Sequence, residues 1–140
     1  MKLISFIIPF TALFASASST IVKYDHVYDD PNTPMTVVEC SGGENGMIAK
    51  GYNIFGDLPT FPNIGAAFAV EEYNSPSCGS CWNLTDSKTF TTAFIIAIDR
   101  AVEGFVIAEE ALTALGGPQA VDGGEIYTSA RLVEGSYCGL

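Results

Sequence analysis

The chain reads as a small, mainly β protein with one short helix, closed into a barrel or packed as a sandwich. Three observations predict this. Short runs of β-branched and aromatic residues recur between stretches rich in Gly, Pro, Asn and Asp. Only residues 109–115 (Glu-Glu-Ala-Leu-Thr-Ala-Leu) have a convincing helical character. Four cysteines, Cys40, Cys78, Cys81 and Cys138, are spread along one domain's length of chain, enough for two disulfides.

The N-terminus sets the compartment. Lys2 is followed by an apolar run from Leu3 to Ala15, and Ala15-Ser16-Ala17 is a small-x-small cleavage site. Residues 1–17 are therefore expected to be a secretory signal peptide, too short in its apolar part to span a membrane. Residues 18–140 are expected to form one secreted domain, extracellular or in the cell wall. No later apolar run is long enough for a span, and the tail Ser136-Tyr137-Cys138-Gly139-Leu140 is unlike a lipid-anchor signal. Without Lys2, five basic residues face sixteen acidic ones. Such an acidic surface repels phosphate, so neither nucleic acid nor membrane is expected as a partner, and the chain is expected to be a monomer.

The elements follow in order. A first strand is expected over 21–24. Asp29-Asp30-Pro31-Asn32-Thr33-Pro34 is a turn by composition, and Thr36-Val37-Val38-Glu39-Cys40 reads as a β-branched strand. The Gly-rich stretch 41–46 is a loop. It lacks the lysine and the following helix that a phosphate-cradling loop needs. Residues 47–52 read as a short turn or strand. Two prolines and Gly56 make 54–64 a packed loop whose aromatic residues plug the core. Residues 66–73 can be a short helix or a strand, and 82–85 a strand. Residues 90–99 are the strongest strand signal, with 94–98 apolar on both faces and so buried on both. The helix at 109–115 stops at Gly116-Gly117-Pro118, Gly123-Gly124 is a turn, and 125–133 is a late strand.

Chemistry is sparse. Cys78-Gly79-Ser80-Cys81 can be a redox pair, or each cysteine can staple a different segment to this turn. No thioredoxin-like βαβ context surrounds it, so the stapled reading is preferred; composition leaves the pairing open. His26 is the only histidine, and oxidised cysteines do not ligate zinc, so no metal and no cofactor are expected. A nucleophilic triad would need His26 as its base, with no nucleophile elbow in sight. His26 reads as an ordinary surface residue. Asp99 ends the apolar strand beside Arg100. It is either a rim carboxylate facing a groove or a turn aspartate held by Arg100 or by backbone amides. Glycoside hydrolysis would require a second carboxylate across the bond, with Asp25, Asp29 and Asp30 as candidates. Tyr24, Tyr28, Tyr52, Tyr73 and Trp82 are the rings that could stack on sugars. Trp82, beside a cysteine, is expected in the core, and Tyr24 and Tyr28, flanked by aspartates, on the surface. Asn83-Leu84-Thr85 is an N-glycosylation sequon.

One family pattern runs through these residues. Tyr24-Asp25, Tyr28-Asp29, Cys40-Ser41, Asn45-Gly46, Lys50-Gly51-Tyr52, Phe55-Gly56, Leu58-Pro59-Thr60-Phe61-Pro62, Asn74-Ser75-Pro76, Cys78-Gly79, Cys81-Trp82, Ala97-Ile98-Asp99 and Cys138-Gly139-Leu140 together resemble the cerato-platanin family. The resemblance implies a six-stranded double-psi β-barrel similar to the first domain of expansins, with disulfides Cys40–Cys78 and Cys81–Cys138. It implies a secreted, non-enzymatic protein that binds chitin or N-acetylglucosamine oligomers, loosens polysaccharides such as cellulose, and elicits plant defence through a plant receptor. Carried over residue by residue, the carbohydrate-binding set is Asp99, Asn45, Ser41, Tyr24, Tyr28 and Asp29, with Asp25 beside it. Two alternatives stand next to this reading. One is an effector or surface-active protein with little sugar affinity. The other is a vestigial glycoside hydrolase using Asp99.

The sequence departs from the family pattern at three places. Gly42-Gly43 stands where an aspartate usually follows Cys-Ser, and Val106 and Ala108 replace hydrogen-bonding residues. Each hydrogen bond lost to a sugar hydroxyl would cost about 0.5–1.5 kcal/mol of affinity.

Overall fold

The computed structural model describes Ser5, Ile7 and residues 19–140. Those two residues apart, the expected leader over 1–17 lies outside the described residues. Six strands close a barrel: β1 (Thr20–Tyr24), β2 (Ile64–Ala67), β3 (Cys81–Asp86), β4 (Thr92–Arg100), β5 (Phe105–Ile107) and β6 (Glu125–Val133). Their order around the wall is β1-β5-β2-β4-β3-β6, and β6 returns to β1. The β1/β5 and β2/β4 pairs are parallel and the rest antiparallel. Two parallel pairs joined through the antiparallel β2/β5 seam are the double-psi arrangement that the family resemblance implies. Closure satisfies both edges of every strand, so the barrel has no free edge to protect.

The strongest strand of the sequence has a fully buried centre. In β4, Ile95, Ile96, Ala97 and Ile98 are all fully buried, as an unbroken apolar run predicts. Between Gly65 and Ala66 the β2/β4 register slips by one residue, so Gly65 faces Ala97 and Ala66 faces Asp99. Ile98 is the residue left over. Its carbonyl is free to accept the Cys40 N–H at 3.1 Å, which docks the chain around Cys40 onto the barrel. Gly65 is required by close approach: a Cβ there would meet the Val106 carbonyl oxygen and lie 2.7 Å from Ile107 Cα.

Helix α1 (Glu109–Gly116) lays Ala111, Leu112 and Leu115 onto the barrel and carries Glu109 and Glu110 in its first turn. The helix dipole favours those charges there. Gly116-Gly117-Pro118 ends α1 as expected, but it also starts a second helix, α2 (Pro118–Gly123). Gly117 at φ 83° reverses the chain, and Pro118 arrives with the φ that a first helical turn needs.

Three sequence expectations are corrected here. The expected strand over 36–40 is a 3-10 turn (Met35–Val37) followed by further turns. Its buried residues are Met35, Val38 and Cys40, a spacing unlike strand alternation, and the closed barrel leaves no edge for it to join. Of residues 66–73 only Ala66 and Ala67 are strand: β2 begins at Ile64 and ends at Ala67, and 68–73 are turn and loop. The strand β5 went unread, because three residues are too few to show a period.

Both disulfides are formed, Cys40–Cys78 and Cys81–Cys138, and no described cysteine is free. The C-x-x-C stretch is therefore two staples rather than a redox pair. Trp82 lies in the core as expected, with its indole N–H on Ser80 Oγ at 2.8 Å and its ring 5.4 Å from Phe105. No described helix is long and apolar enough to cross a membrane.

Candidate functional site

Asp99 occupies the penultimate position of β4, half-buried, immediately after the register slip. Its Oδ1 accepts the N–H of Arg100 at 2.9 Å and of Glu39 at 3.1 Å, and its Oδ2 accepts the Tyr28 hydroxyl at 2.8 Å. The backbone-amide alternative weighed for this residue is thus realised, and a phenol is added to it. Three donors leave part of the carboxylate's acceptor capacity unused, so Asp99 can still receive a hydroxyl from outside.

Tyr28 corrects the sequence reading. Expected on the surface, it is 4% exposed and tilted against Phe55 at 6.3 Å between ring centroids. Burial, then the Asp99 charge and hydrogen bond, push its hydroxyl far above the ordinary phenol range. It is a permanent donor to Asp99, and its ring face is closed to any ligand. Tyr24 is half-buried, with its ring edge-on to His26 at 5.5 Å.

The loop beside Asp99 carries Ser41 and Asn45. The Asn45 N–H donates to Asn74 Oδ1 at 2.9 Å, and its side-chain amide donates to the Asn74 carbonyl at 3.1 Å. Ser41 is half-buried, its carbonyl accepting the Ile48 N–H at 3.1 Å. Asn74 adopts φ 58°, a conformation asparagine tolerates well, and so brings the 73–75 turn onto this loop. Tyr73 lies directly over Gly42: a Cβ at residue 42 would collide with the Tyr73 hydroxyl. Tyr73 itself is 56% exposed. Among Tyr24, Tyr28, Tyr52, Tyr73 and Trp82 it is the most exposed, and its hydroxyl end lies over the loop that carries Ser41 and Asn45.

Asp29 follows Tyr28 in sequence but serves another corner. Its Oδ1 accepts the Glu109 N–H at 2.8 Å, and its Oδ2 pairs with His26 Nδ1 at 2.8 Å. The helix it caps begins after Ala108, which is fully buried and has no capping side chain. Ala108 therefore belongs to the core and the helix start, where the sequence reading had counted it as a lost sugar contact. Val106 packs, half-buried, against the same core. His26, read as an ordinary surface residue, sits between Asp29 and Glu109, whose Oε2 is 3.1 Å away. The Asp29 hydrogen bond raises its pKa above the ordinary 6.5, and the Glu109, Asp29 and Asp25 charges add to that. A shallow depression of about 300 Å³ opens beside this corner, bounded by Asp29, Pro62, Glu109, Glu110 and Thr113.

The other carboxylates weighed as a hydrolase's second group are turn acceptors. Asp25 takes the Val27 N–H at 2.9 Å, and Asp30 takes the Asn32 N–H at 2.8 Å. Asn83, the sequon residue, lies mid-strand in β3 between Phe94 and Arg131 and accepts a hydrogen bond from the Thr92 hydroxyl.

With the fold and this geometry in hand, the comparisons place the chain in a family. A family model described as cerato-platanin matches residues 20–140. The chain belongs to the cerato-platanin family. It is 43% identical over 133 residues to the heat-stable 19 kDa antigen of Coccidioides posadasii, covering 95% of this chain and 90% of the relative. Among solved structures it resembles cerato-platanin 1 of M. perniciosa, with 41% identity, TM-score 0.80, and coverage of 85% of this chain and 98% of that one. It also resembles the solution structure of the fungal elicitor cerato-platanin, with 32% identity, TM-score 0.76, and coverage of 84% and 95%.

Proposed function

We propose that this cerato-platanin is a secreted, non-catalytic carbohydrate-binding protein of the fungal wall and medium. It takes chitin or other N-acetylglucosamine oligomers in an extended, shallow site, competes with glycan–glycan hydrogen bonds, and so loosens polysaccharide without cleaving it. The observation that carries this reading is the rim around Asp99. A half-buried carboxylate with spare acceptor capacity is fixed by three donors. The loop that supplies one of them also carries Ser41 and Asn45 and lies beneath the exposed Tyr73 ring. Acceptors and amides beside an open aromatic face are what a pyranose ring with equatorial hydroxyls requires. Tyr73 takes the ring-covering role expected of Tyr24 or Tyr28. Two disulfides fit an oxidising, extracellular setting.

The non-catalytic part rests on the carboxylates. Asp25, Asp29 and Asp30 each hold a backbone N–H of a turn or helix start, and none of them shares a hydrogen bond with Asp99 among the described residues.

The test is an NMR titration of the oxidised protein with chitin tetramer. Shifts should cluster on Asp99, Ser41, Asn45 and residues 73–74, and Tyr73→Ala should weaken binding by about 0.5–1.5 kcal/mol, the worth of a stacked ring. A spectrum unmoved at millimolar ligand would remove the carbohydrate reading. A second reading, an elicitor perceived by a plant receptor with little sugar affinity, has its own support in the resemblance to the fungal elicitor cerato-platanin. It predicts that silent titration together with elicitation that survives Asp99→Asn.

A further inference from the structure

Counting thiolates and imidazoles along the sequence gives no reason to expect a metal site. Folding adds what that count omits. It carries Glu109, at the start of α1, to the turn that holds His26 and Asp29, eighty residues earlier in the chain. His26 Nδ1 stands 2.8 Å from Asp29 Oδ2 and 3.1 Å from Glu109 Oε2, and one ligating atom from each of the three lies within 4.8 Å of the others. In a tetrahedral zinc site, bonds of about 2.0–2.2 Å place neighbouring ligand atoms about 3.4 Å apart. The His26–Asp29 and His26–Glu109 contacts would open by about 0.6 and about 0.3 Å, and the two carboxylate oxygens, within 4.8 Å of each other, would settle at the same spacing, to admit an ion in place of the shared imidazole proton.

The surroundings suit a cation. Asp29 keeps its other oxygen on the Glu109 N–H at 2.8 Å, an outer hydrogen bond that fixes how the carboxylate is presented. The depression bounded by Glu110 and Thr113 leaves room for water at an open coordination position. The α1 N-terminus by itself disfavours a cation, but Asp29, Glu109 and Glu110 set three carboxylates against that half charge. His26 is 71% exposed, so an ion can reach it directly.

We propose that His26, Asp29 and Glu109 form a surface site for one divalent transition-metal ion of the zinc type. An imidazole with two carboxylates suits Zn²⁺, whereas Ca²⁺ and Mg²⁺ prefer all-oxygen sets. A bound ion would tie the turn before Asp30 to α1. Because the site includes neither Asp99, Asn45 nor Tyr73, it stands or falls separately from carbohydrate binding.

The experiment is a titration of metal-free, oxidised protein with zinc chloride, followed by calorimetry and by ¹H–¹⁵N NMR including the imidazole nitrogens. One equivalent should bind, shifts should centre on residues 26–29 and 109–110, and EDTA should reverse them. His26→Ala and Glu109→Gln should each weaken binding by about tenfold or more, as loss of a ligand requires, while the exposed Asp122→Asn should leave it unchanged. Shifts spread over the acidic surface, an unmoved imidazole, or a His26→Ala protein that titrates like the parent would each overturn the site.

Discussion

Asp99 and Asp29 are two half-buried carboxylates held in opposite ways, and each takes one partner from the same short turn. Asp99 is fixed by neutral donors: two backbone amides and the Tyr28 phenol. Asp29 is fixed by one amide and by His26, whose imidazole is exposed and shared with Glu109. Neutral donors in a half-buried site do not respond to salt or to pH near neutrality. An exposed imidazole partner responds to both. The first arrangement suits a fixed binding rim, and the second suits an ion that comes and goes.

The largest effect expected on this contrast comes from the chain that delivers Glu39 to Asp99. Cys40 holds that chain through its disulfide to Cys78 and its N–H to the Ile98 carbonyl. Replacing Cys40 and Cys78 by serine should cost about 2–5 kcal/mol in urea unfolding. Amide exchange should quicken at Glu39 and Arg100 while the Glu109 amide stays protected. Loss of protection at both corners alike would mean that they are not independent.

Next is Asp99→Ala against Asp29→Ala. The first leaves the buried Tyr28 hydroxyl and two amides without a partner and should cost about 2–3 kcal/mol. The second removes a helix cap that water can replace in part, and should cost about 1 kcal/mol. Equal costs in denaturant unfolding would erase the distinction drawn between the two carboxylates.

The smallest effect is the pH response of the His26 corner in metal-free protein. The folded imidazole holds its proton more tightly than the unfolded one, because Asp29, then the neighbouring charges, favour the cation. Its contribution to stability is complete below about pH 6.5 and is lost as pH rises through the higher folded value. The melting temperature of the parent should fall slightly relative to His26→Gln between pH 6 and pH 8, and added salt should shrink the gap. A gap that widens with rising pH would reverse the assigned sign.

Much of the barrel was legible because its strands are patterned. β1, β3, β4 and β6 carry runs long enough to read, and α1 carries acidic residues at its start and glycines at its end. β5 was missed because three residues have no period, and the strand expected over 36–40 failed because β propensity reports fit to a neighbour that a closed barrel does not offer. At the candidate rim, Asp99, Asn45 and Ser41 were identified with the family pattern. The burial of Tyr28 was missed because flanking aspartates argue for solvent, and nothing local indicates that one hydroxyl will find Asp99 seventy-one positions away.

By itself, then, the sequence determined a mainly β domain, its strongest strands and helix, and the residues able to do chemistry, since period and composition are local properties. The family pattern implied which cysteines pair, but that Tyr73 rather than Tyr28 is exposed, and that His26, Asp29 and Glu109 share one corner, were decided only by the tertiary structure. The reason is that each depends on how barrel closure brings distant segments to one place, and no window along the chain contains that distance.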